Sequence, residues 1–228
     1  MNFKQIKLVV FDMAGTTVDE QNVVYKTLQK AINTKKLNVS LEEVLEHGAG
    51  KEKYQAIIDI LQETINLELT DEFAREIFVL FQELLDEAYE ELEVKTFDGV
   101  LDLFEFLHQK NIKIALNTGY NSRIANLLLY KLDWELGREY DYLVTASDVE
   151  YSRPHPEMIE KAREQFQITK PSQVLKAGDS AIDILEGKNA SCGITVGVLS
   201  GAQDLQQLAK TKPTLILDNL GDLIAYFE

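Results

Sequence analysis

The stretch Leu8-Val9-Val10-Phe11-Asp12-Met13-Ala14-Gly15-Thr16-Thr17-Val18 decides the fold of this 228-residue chain. Its apolar run ends at Phe11 and predicts a strand that is buried on both faces, as strands in parallel sheets are. Asp12 then lies at the carboxyl end of the strand, where ligands bind in open α/β sheets. A carboxylate there can act as a metal ligand, a nucleophile or both. A buried strand that ends in a capping aspartate would explain the same residues without any chemistry.

The rest of the chain divides into a helical block and an alternating block. Within residues 19–93 apolar side chains recur at helical spacing over 23–32, 54–61 and 73–85, and Thr70 is predicted to cap the last of these helices. After residue 95, apolar runs of strand character alternate with helical segments. These runs cover residues 112–116, 142–145, 174–177, 194–198 and 214–217. The alternation predicts an α/β fold, a doubly wound parallel sheet with helices on both faces.

The first strand should join this sheet although the helical block intervenes. We therefore expect a catalytic core of residues 1–18 and 94–228, with residues 19–93 inserted after the first strand as a helical cap domain. Segment 47–50, His-Gly-Ala-Gly, is predicted to interrupt the helices of this block. A cap in this position would exclude water from the catalytic edge and bring in further residues when it closes.

Composition narrows the classes of function. The net charge of −15 argues against nucleic-acid binding, and no segment is long and apolar enough to span a membrane. A single cysteine, Cys192, excludes an intrachain disulfide and fits a reducing compartment. The first residues lead directly into a strand, which is not typical of a signal peptide. We therefore expect a cytoplasmic protein with no membrane partner.

The negative charge is concentrated in the helical block. Residues 19–93 hold 18 acidic and 7 basic side chains, so −11 of the −15 lies there. An acidic face repels an anionic substrate unless local positive charge offsets it. A bound cation, Lys51 and Arg153 are the candidates for that positive charge.

Three motifs after the helical block carry further candidate residues. Thr118 and Gly119 follow a strand and precede a helix, where a hydroxyl and backbone N–H groups can bind a phosphate oxygen or simply cap the helix. Arg153 stands between Ser152 and a proline in Ser-Arg-Pro-His-Pro, and the two prolines fix its direction. Asp179 and Asp183, in Gly-Asp-Ser-Ala-Ile-Asp after a late strand, suit a magnesium site together with Asp12. Asp183 is expected to support the site from behind, since Mg²⁺ needs only one or two protein carboxylates.

Taken in order, these motifs resemble those of the haloacid dehalogenase superfamily of phosphotransferases. The form Asp-x-Ala-Gly-Thr at residues 12–16, Thr-Gly-Tyr at 118–120 and arginine in the third motif look like the phosphonatase branch, which hydrolyses phosphonoacetaldehyde. The resemblance implies Mg²⁺ as cofactor, Asp12 as nucleophile, Asp12, Asp179 and the Ala14 carbonyl as metal ligands, and Thr118 and Arg153 as phosphoryl-binding groups. It also implies substrate-binding roles at Ala14, Gly15, Thr16, Gly48, Gly119 and Tyr120.

The segment His47-Gly48-Ala49-Gly50-Lys51 resembles the phosphonatase segment Met-Gly-x-x-Lys, whose lysine forms a Schiff base with the substrate aldehyde. The resemblance therefore assigns this role to Lys51, with Gly48 permitting the loop that delivers it. An ordinary solvated lysine at a helix start is the alternative, and a second lysine, Lys53, stands two residues away. A Schiff-base lysine must be partly neutral, which requires desolvation or a cationic neighbour.

Ala14 supports this interpretation independently of Lys51. Most phosphatases of the superfamily carry an acid at that position to protonate an alkoxide leaving group, and alanine cannot donate a proton. An enamine leaving group does not need such an acid. The chain departs from the phosphonatase pattern at Asn22, His47 and Tyr54, which would face the aldehyde end of the substrate.

We therefore expect a Mg²⁺-dependent phosphohydrolase that cleaves the C–P bond of phosphonoacetaldehyde or a similar 2-oxoalkylphosphonate. The first alternative is a phosphomonoesterase of the same fold acting on a small phosphate ester of the phosphoglycolate or sugar-phosphate type, with His47 or Tyr54 supplying the acid. The second is a non-catalytic binding protein that keeps the fold. Members of the phosphonatase branch pair through their caps, so the resemblance also implies a homodimer.

Overall fold

A computed structural model describes residues 2–49, 51–65 and 71–228 of the chain. Six parallel strands form the central sheet in the order β5-β4-β1-β6-β7-β8, and two short strands, β2 and β3, form an antiparallel pair of their own. The strands are β1 Leu8–Asp12, β2 Val18–Asp19, β3 Lys95–Thr96, β4 Lys113–Thr118, β5 Tyr142–Thr145, β6 Val174–Gly178, β7 Ile194–Val198 and β8 Leu215–Leu217. The strand that carries Asp12 is thus central, and the predicted α/β fold with a parallel sheet is confirmed.

Helices cover both faces of the sheet because β1 is apolar on both sides. Val9 and Phe11 point to one face, where the Phe11 ring lies 5.3 Å from that of Phe104. Leu8 and Val10 point to the other face and pack in a second apolar cluster. The helices outside the insertion are α5 Val100–Gln109, α6 Ser122–Lys131, α7 Glu157–Gln165, α8 Ala181–Asn189, α9 Leu205–Lys210 and α10 Ile224–Phe227.

The helical insertion leaves and rejoins the core through the β2–β3 pair. In this pair Val18 lies opposite Thr96 and Asp19 opposite Lys95, so the two chain crossings are held side by side just after β1. The helices between them are α1 Val23–Asn33, α2 Leu41–Gly48, α3 Lys53–Ile65 and α4 Asp71–Glu91. Their apolar stripes pack on one another, α1 against α4 and α2 against α3.

Gly48 differs from its predicted place in a loop. It is the last residue of α2 and is buried, and a Cβ there would lie 3.1 Å from the Ile60 Cδ1 atom of α3. Gly48 therefore allows α2 and α3 to approach closely, and it is not a loop residue that delivers Lys51. Gly50 and Thr70, for which a break and a helix cap were predicted, lie outside the described residues. Within the described part of the chain, no helix is both long enough and apolar enough to cross a membrane.

Candidate active site

The carboxyl ends of the central strands bring the sequence-predicted residues together. Asp12 ends β1, Thr118 ends the neighbouring β4, and Asp179 directly follows β6 on the other side. Arg153 reaches the same point from the loop before α7. The cavity they form is lined by Asp12, Ala14, Tyr25, Lys53, Thr118, Gly119, Tyr120, Arg153 and Asp179. Its volume of about 10 Å³ holds about one water molecule, and Tyr25 and Lys53 of the insertion form part of its wall.

Arg153 is the cation that offsets the charge of Asp12. Its side chain is 3% exposed, and its Nη1 atom donates to Asp12 Oδ1 at 2.7 Å and also to Asp183. The Arg153 Nε atom is buried and has no hydrogen-bond partner in the described structure. The arginine thus fixes one oxygen of the candidate nucleophile and keeps a donor for a further group.

A buried polar network that the sequence motifs did not predict lies behind this pair. Lys176, on β6, is fully buried, and its Nζ atom lies 2.7 Å from Asn117 Oδ1, 3.0 Å from Asp183 Oδ1 and 3.4 Å from Glu186 Oε2. The Asn117 amide donates to both carboxylate oxygens of Glu186 at 2.9 Å. Although burial alone would raise the pKa of Asp183, Lys176 and Arg153 hold it at about 2. Asp183 is therefore an anion that orients Arg153.

Asp12, Asp179 and Asp183 offer carboxylate oxygens within 4.8 Å of one another, and this buried cluster could hold a metal ion. Burial raises the pKa of Asp12 and, together with the charges of Asp12 and Asp183, raises the pKa of Asp179 well above its usual value. A divalent cation between Asp12 and Asp179 would remove this mutual repulsion, and an all-oxygen donor set is the kind that Mg²⁺ prefers. The residues present therefore fit the predicted cation.

Gly201 sets the position of Asp179, and its replacement gives a prediction. Gly201 has no positive φ, but a Cβ there would lie 2.6 Å from the Asp179 Cβ atom, while the Ala202 N–H donates to Asp179 Oδ2 at 2.6 Å. We expect Gly201→Ala to push the carboxylate aside and weaken Mg²⁺ binding by about 10- to 100-fold, as loss of a supporting group does at metal sites. Calorimetric titration with Mg²⁺ measures the change.

The matched control for this variant is Gly197→Ala on β7. A Cβ at position 197 would meet the flexible end of Leu208 at 3.2 Å, and its three nearest atoms belong to Leu208 and Ile216, not to a carboxylate. Its Mg²⁺ affinity should equal that of the unchanged protein. Equal affinities for all three proteins would contradict the assignment of Asp179 as a cation ligand.

Lys51 does not lie in this cavity, which corrects the expectation taken from the resemblance. Its Nζ atom pairs with the Asp59 carboxylate of α3, and the Lys51 side chain is 32% exposed. Lys53, the first residue of α3, enters the cavity in its place. The reason is local: Asp59 holds Lys51 at the partly exposed side of α3, whereas Lys53 turns inward at the helix start, where its Nζ atom donates to the Lys51 carbonyl oxygen at 2.6 Å.

The environment of Lys53 favours a neutral amine. Only 8% of the residue is exposed, and its Nζ atom lies 5.1 Å from the centre of the Tyr25 ring and 5.6 Å from that of Tyr120. Burial, reinforced by the charge of Arg153, lowers the pKa of Lys53 to about 8. Glu20 is also buried, and burial raises its pKa to about 8. The cavity therefore contains an amine that is partly deprotonated near neutral pH.

The other predicted residues fall into two groups. Ala14, Gly119 and Tyr120 line the cavity, and the Tyr120 backbone N–H donates to Thr118 Oγ1 at 3.2 Å. Gly15 and Thr16 are behind the lining. Gly15 takes a φ of 80° and packs against the Asp179 carboxylate, and the buried Thr16 hydroxyl has no partner among the described residues. These last two residues shape the turn after β1 and do not face the cavity.

The segment of sequence that builds this site matches a known family. A protein-family model described as haloacid dehalogenase-like hydrolase matches residues 6–191. The chain belongs to the haloacid dehalogenase-like hydrolase family. The predicted family is therefore confirmed, and the chain is a phosphohydrolase of this family rather than a non-catalytic binding protein.

The names of similar proteins specify different substrates. The chain is 30% identical over 208 residues to phosphonoacetaldehyde hydrolase from Lactiplantibacillus plantarum, covering 86% of this chain and 77% of the relative. It is 29% identical over 222 residues to pyrophosphatase PpaX from Anoxybacillus flavithermus, covering 96% of both. A solved structure of a phosphonoacetaldehyde hydrolase-like protein from Oleispira antarctica superposes with a TM-score of 0.83 at 20% identity, covering 98% of this chain and 91% of that one. These matches do not decide between the substrates, so the chemistry of the site must do so.

Proposed function

We propose that this chain is a Mg²⁺-dependent phosphohydrolase that cleaves the C–P bond of a 2-oxoalkylphosphonate through an aspartyl-phosphate and a lysine Schiff base. One observation carries the proposal: a buried lysine, Lys53, shares one small cavity with Asp12 and Arg153. A phosphomonoesterase would use a lysine beside its nucleophile only in the charged form, to bind an anionic group, and gains nothing from a neutral amine. A carbonyl substrate does, because only a neutral amine can add to it. Lys53 takes the role that the resemblance assigned to Lys51.

The phosphoryl end of the substrate would lie against Asp12. One carboxylate oxygen of Asp12 is held by Arg153, so the other is left to attack phosphorus. The Arg153 Nε–H and Thr118 hydroxyl are the donors for the phosphoryl oxygens. Asp12, Asp179 and the Ala14 carbonyl would hold Mg²⁺, which when bound neutralises charge on the phosphoryl group.

The carbonyl end would react with Lys53. The neutral amine adds to the carbonyl carbon and water leaves, which produces an iminium. When Asp12 attacks phosphorus, the electron pair of the C–P bond moves into the iminium and forms an enamine. Protonation and hydrolysis of the enamine return the lysine and a carbonyl product, and a second water hydrolyses the aspartyl-phosphate. The net reaction consumes one water molecule.

We further propose that residues 19–93 act as a cap that opens for substrate. The closed cavity holds about one water, which is too small for a phosphonate, so entry requires the insertion to move. Tyr25 and Lys53 come from the insertion and line the cavity beside Asp12. Closure would therefore bring the amine to the substrate and exclude water at the same time.

The alternative is a phosphomonoesterase, and the pyrophosphatase relative favours it. Such an enzyme needs an acid for its leaving group, and Ala14 supplies none. His47 and Tyr54 were the candidates from the sequence. Neither lines the cavity: the Tyr54 hydroxyl pairs with Asp71, and the His47 side chain is 27% exposed near Glu46. Glu20, with its pKa raised to about 8 by burial, is a further acid whose charge acts on Lys53, as is Glu52.

Product analysis tests the proposal against this alternative. The protein would be incubated with Mg²⁺ and either phosphonoacetaldehyde, 2-oxopropylphosphonate, pyrophosphate or a panel of small phosphate esters. We expect equimolar phosphate and carbonyl product from an oxo-phosphonate. Phosphate release confined to the esters or pyrophosphate would overturn the proposal and favour the phosphomonoesterase.

The pKa of Lys53 predicts a pH dependence. Because its pKa is lowered to about 8, the reactive neutral fraction rises about tenfold per pH unit below that value and levels above it. We expect kcat/KM for an oxo-phosphonate to rise from pH 6.5 to about 8 and then to flatten. Steady-state kinetics over pH 6.5–9.5 measures the profile. A profile that stays flat or falls between pH 6.5 and 8 would contradict a rate-limiting role for the neutral amine.

A further inference from the structure

A second cavity adjoins the active site on the far side of Lys53. It has a volume of about 100 Å³ and lies between helices α1 and α4 of the insertion and α6 of the core. Its walls include Val24, Phe78, Phe81, Leu85 and Ile124, all apolar and all but Phe78 buried. Lys53, Gly119 and Tyr120 line both this cavity and the one that contains Asp12. The amine therefore stands at the boundary between a carboxylate site and an apolar space.

The position of Lys53 between the two cavities suits a ketone, whose carbonyl carbon has a substituent on each side. In a molecule R–CO–CH₂–PO₃²⁻, the carbonyl carbon bonded to Lys53 would carry the phosphonomethyl group on one side and R on the other. The phosphonate belongs with Asp12 and Arg153, so R must leave Lys53 in another direction. Phosphonoacetaldehyde has only hydrogen as R and would leave the apolar cavity unused.

We propose that this cavity is a subsite for the hydrocarbon substituent of the substrate, so that the preferred substrates are ketones, 2-oxoalkylphosphonates with a short apolar R group. The inference rests on the proposed C–P bond cleavage through Lys53. The cavity of about 100 Å³ is about ten times as large as the Asp12 cavity, which holds about one water molecule, so it has room for a short alkyl chain. A propyl group therefore fits within it.

The charges around the cavity select for a neutral substituent. Its polar lining includes Glu52, Asp86 and Arg123, and Arg123 is already paired with Asp86 across helices α6 and α4. The Glu52 carboxylate accepts hydrogen bonds from the Tyr54 and Gln55 N–H groups and has no cationic side chain paired with it among the described residues, so its negative charge would repel an anionic group on R. A substituent that ends in a carboxylate should therefore be a poor substrate, although its length would fit.

The reaction balances in the same way as for the aldehyde. The ketone and the Lys53 amine lose water to form a ketiminium, and the C–P electron pair enters it as the phosphoryl group moves to Asp12. A proton adds to the CH₂ carbon of the enamine, and hydrolysis releases the methyl ketone R–CO–CH₃. Water then releases phosphate from Asp12, so R–CO–CH₂–PO₃²⁻ and one water yield a methyl ketone and HPO₄²⁻.

A chain-length series tests the subsite within one reactivity class. The substrates are 2-oxopropyl-, 2-oxopentyl- and 2-oxononylphosphonate, where R is methyl, propyl and heptyl. Each buried methylene is worth about a fourfold gain, so kcat/KM should rise about 15-fold from methyl to propyl. The gain should end once the chain is longer than the cavity, and heptyl tests for that limit. Phosphate and methyl ketone are both quantified.

Two variants should move this preference in opposite directions. Leu85→Phe fills the cavity and is expected to reduce the propyl-to-methyl ratio of kcat/KM to about 1. Phe81→Leu enlarges the cavity and is expected to move the optimum to a longer chain, a gain that a general loss of stability cannot produce. Val79→Phe is the matched control, because Val79 lies on the same helix but is 53% exposed, and its ratio should equal that of the unchanged protein.

The possible outcomes distinguish failure of the apolar subsite from failure of the proposed C–P bond cleavage. Hydrolysis of oxo-phosphonates with a ratio that is flat or falls from methyl onward would overturn the subsite and leave the C–P chemistry in place. No product from any oxo-phosphonate, with turnover of phosphate esters, would overturn both. A 15-fold rise that is abolished in Leu85→Phe and shifted in Phe81→Leu is the result we expect.

Discussion

Asp12→Asn is expected to abolish phosphate release, with kcat reduced by at least about 10⁴-fold, the scale seen when a nucleophile is removed. The amide has the shape of the carboxylate but cannot form an acyl-phosphate. Arg153 keeps Asp183 as a partner, so the loop that carries it should stay in place. Phosphate release under saturating substrate and Mg²⁺ measures the loss, and mass spectrometry of the quenched protein should show a phosphorylated species only with Asp12 present.

Two measurements serve as controls for this variant: its unfolding temperature and its ability to form the Schiff base through Lys53. Asp12→Asn should unfold at a temperature close to that of the unchanged protein, because it removes one buried charge whose pKa is already raised by burial. It should still form the Schiff base, since Lys53 is intact. Retained hydrolysis by a folded Asp12→Asn protein would refute the nucleophile assignment.

Lys53→Met is expected to lower kcat/KM for oxo-phosphonates by at least about 10³-fold, whereas Lys51→Met should stay within a few-fold of the unchanged protein. The two lysines are two residues apart and have the same chemistry, so each is a matched control for the other. Only Lys53 lines the cavity with Asp12, and Lys51 is paired with Asp59 at the surface of α3. Steady-state kinetics with 2-oxopropylphosphonate and with phosphonoacetaldehyde makes the comparison.

Folding cannot account for the expected difference. Methionine in place of Lys53 fills a similar volume and removes the cost of burying an ammonium group, so Lys53→Met should be at least as stable as the unchanged protein. Loss of activity in Lys51→Met with retention in Lys53→Met would reverse the assignment. Equal, small effects in both variants would favour a phosphomonoesterase.

The sequence was sufficient for the core of the site because that core depends on topology. Asp12, Thr118 and Asp179 each follow an apolar run, and the carboxyl ends of parallel strands necessarily share one edge of a sheet. The sequence also contains two further signals. Ser40 and Glu43 form the capping box that begins α2, and Lys176 is a charge inside a strand buried on both faces, which requires buried acids nearby.

The choice between Lys51 and Lys53 could not be made from the sequence. Both lysines lie at the start of α3, where the apolar periodicity has not begun and does not fix which side chain turns inward. The resemblance to Met-Gly-x-x-Lys favoured Lys51 by spacing alone. Asp59, two turns further along the chain, removes Lys51 from the cavity, and such a contact depends on three-dimensional packing.

The apolar cavity beside Lys53 also could not be predicted from the sequence. Phe81 and Leu85 were predicted as part of an apolar helical stripe, which is the pattern of an ordinary buried helix face. Whether such a stripe is fully packed or leaves a space depends on the fit between α4, α1 and α6. The periodicity shows which side chains are buried and carries no information about the volume between them.

Borohydride trapping of the substrate adduct tests the central claim most directly. The protein would be incubated with Mg²⁺ and an oxo-phosphonate, reduced with borohydride, digested and mapped by mass spectrometry, beside an unquenched sample in which phosphate and carbonyl product are measured. We predict a reduced adduct on the peptide that contains Lys53 and its absence in Lys53→Met. An adduct on Lys51, or product formation with no adduct on any lysine, would contradict the account.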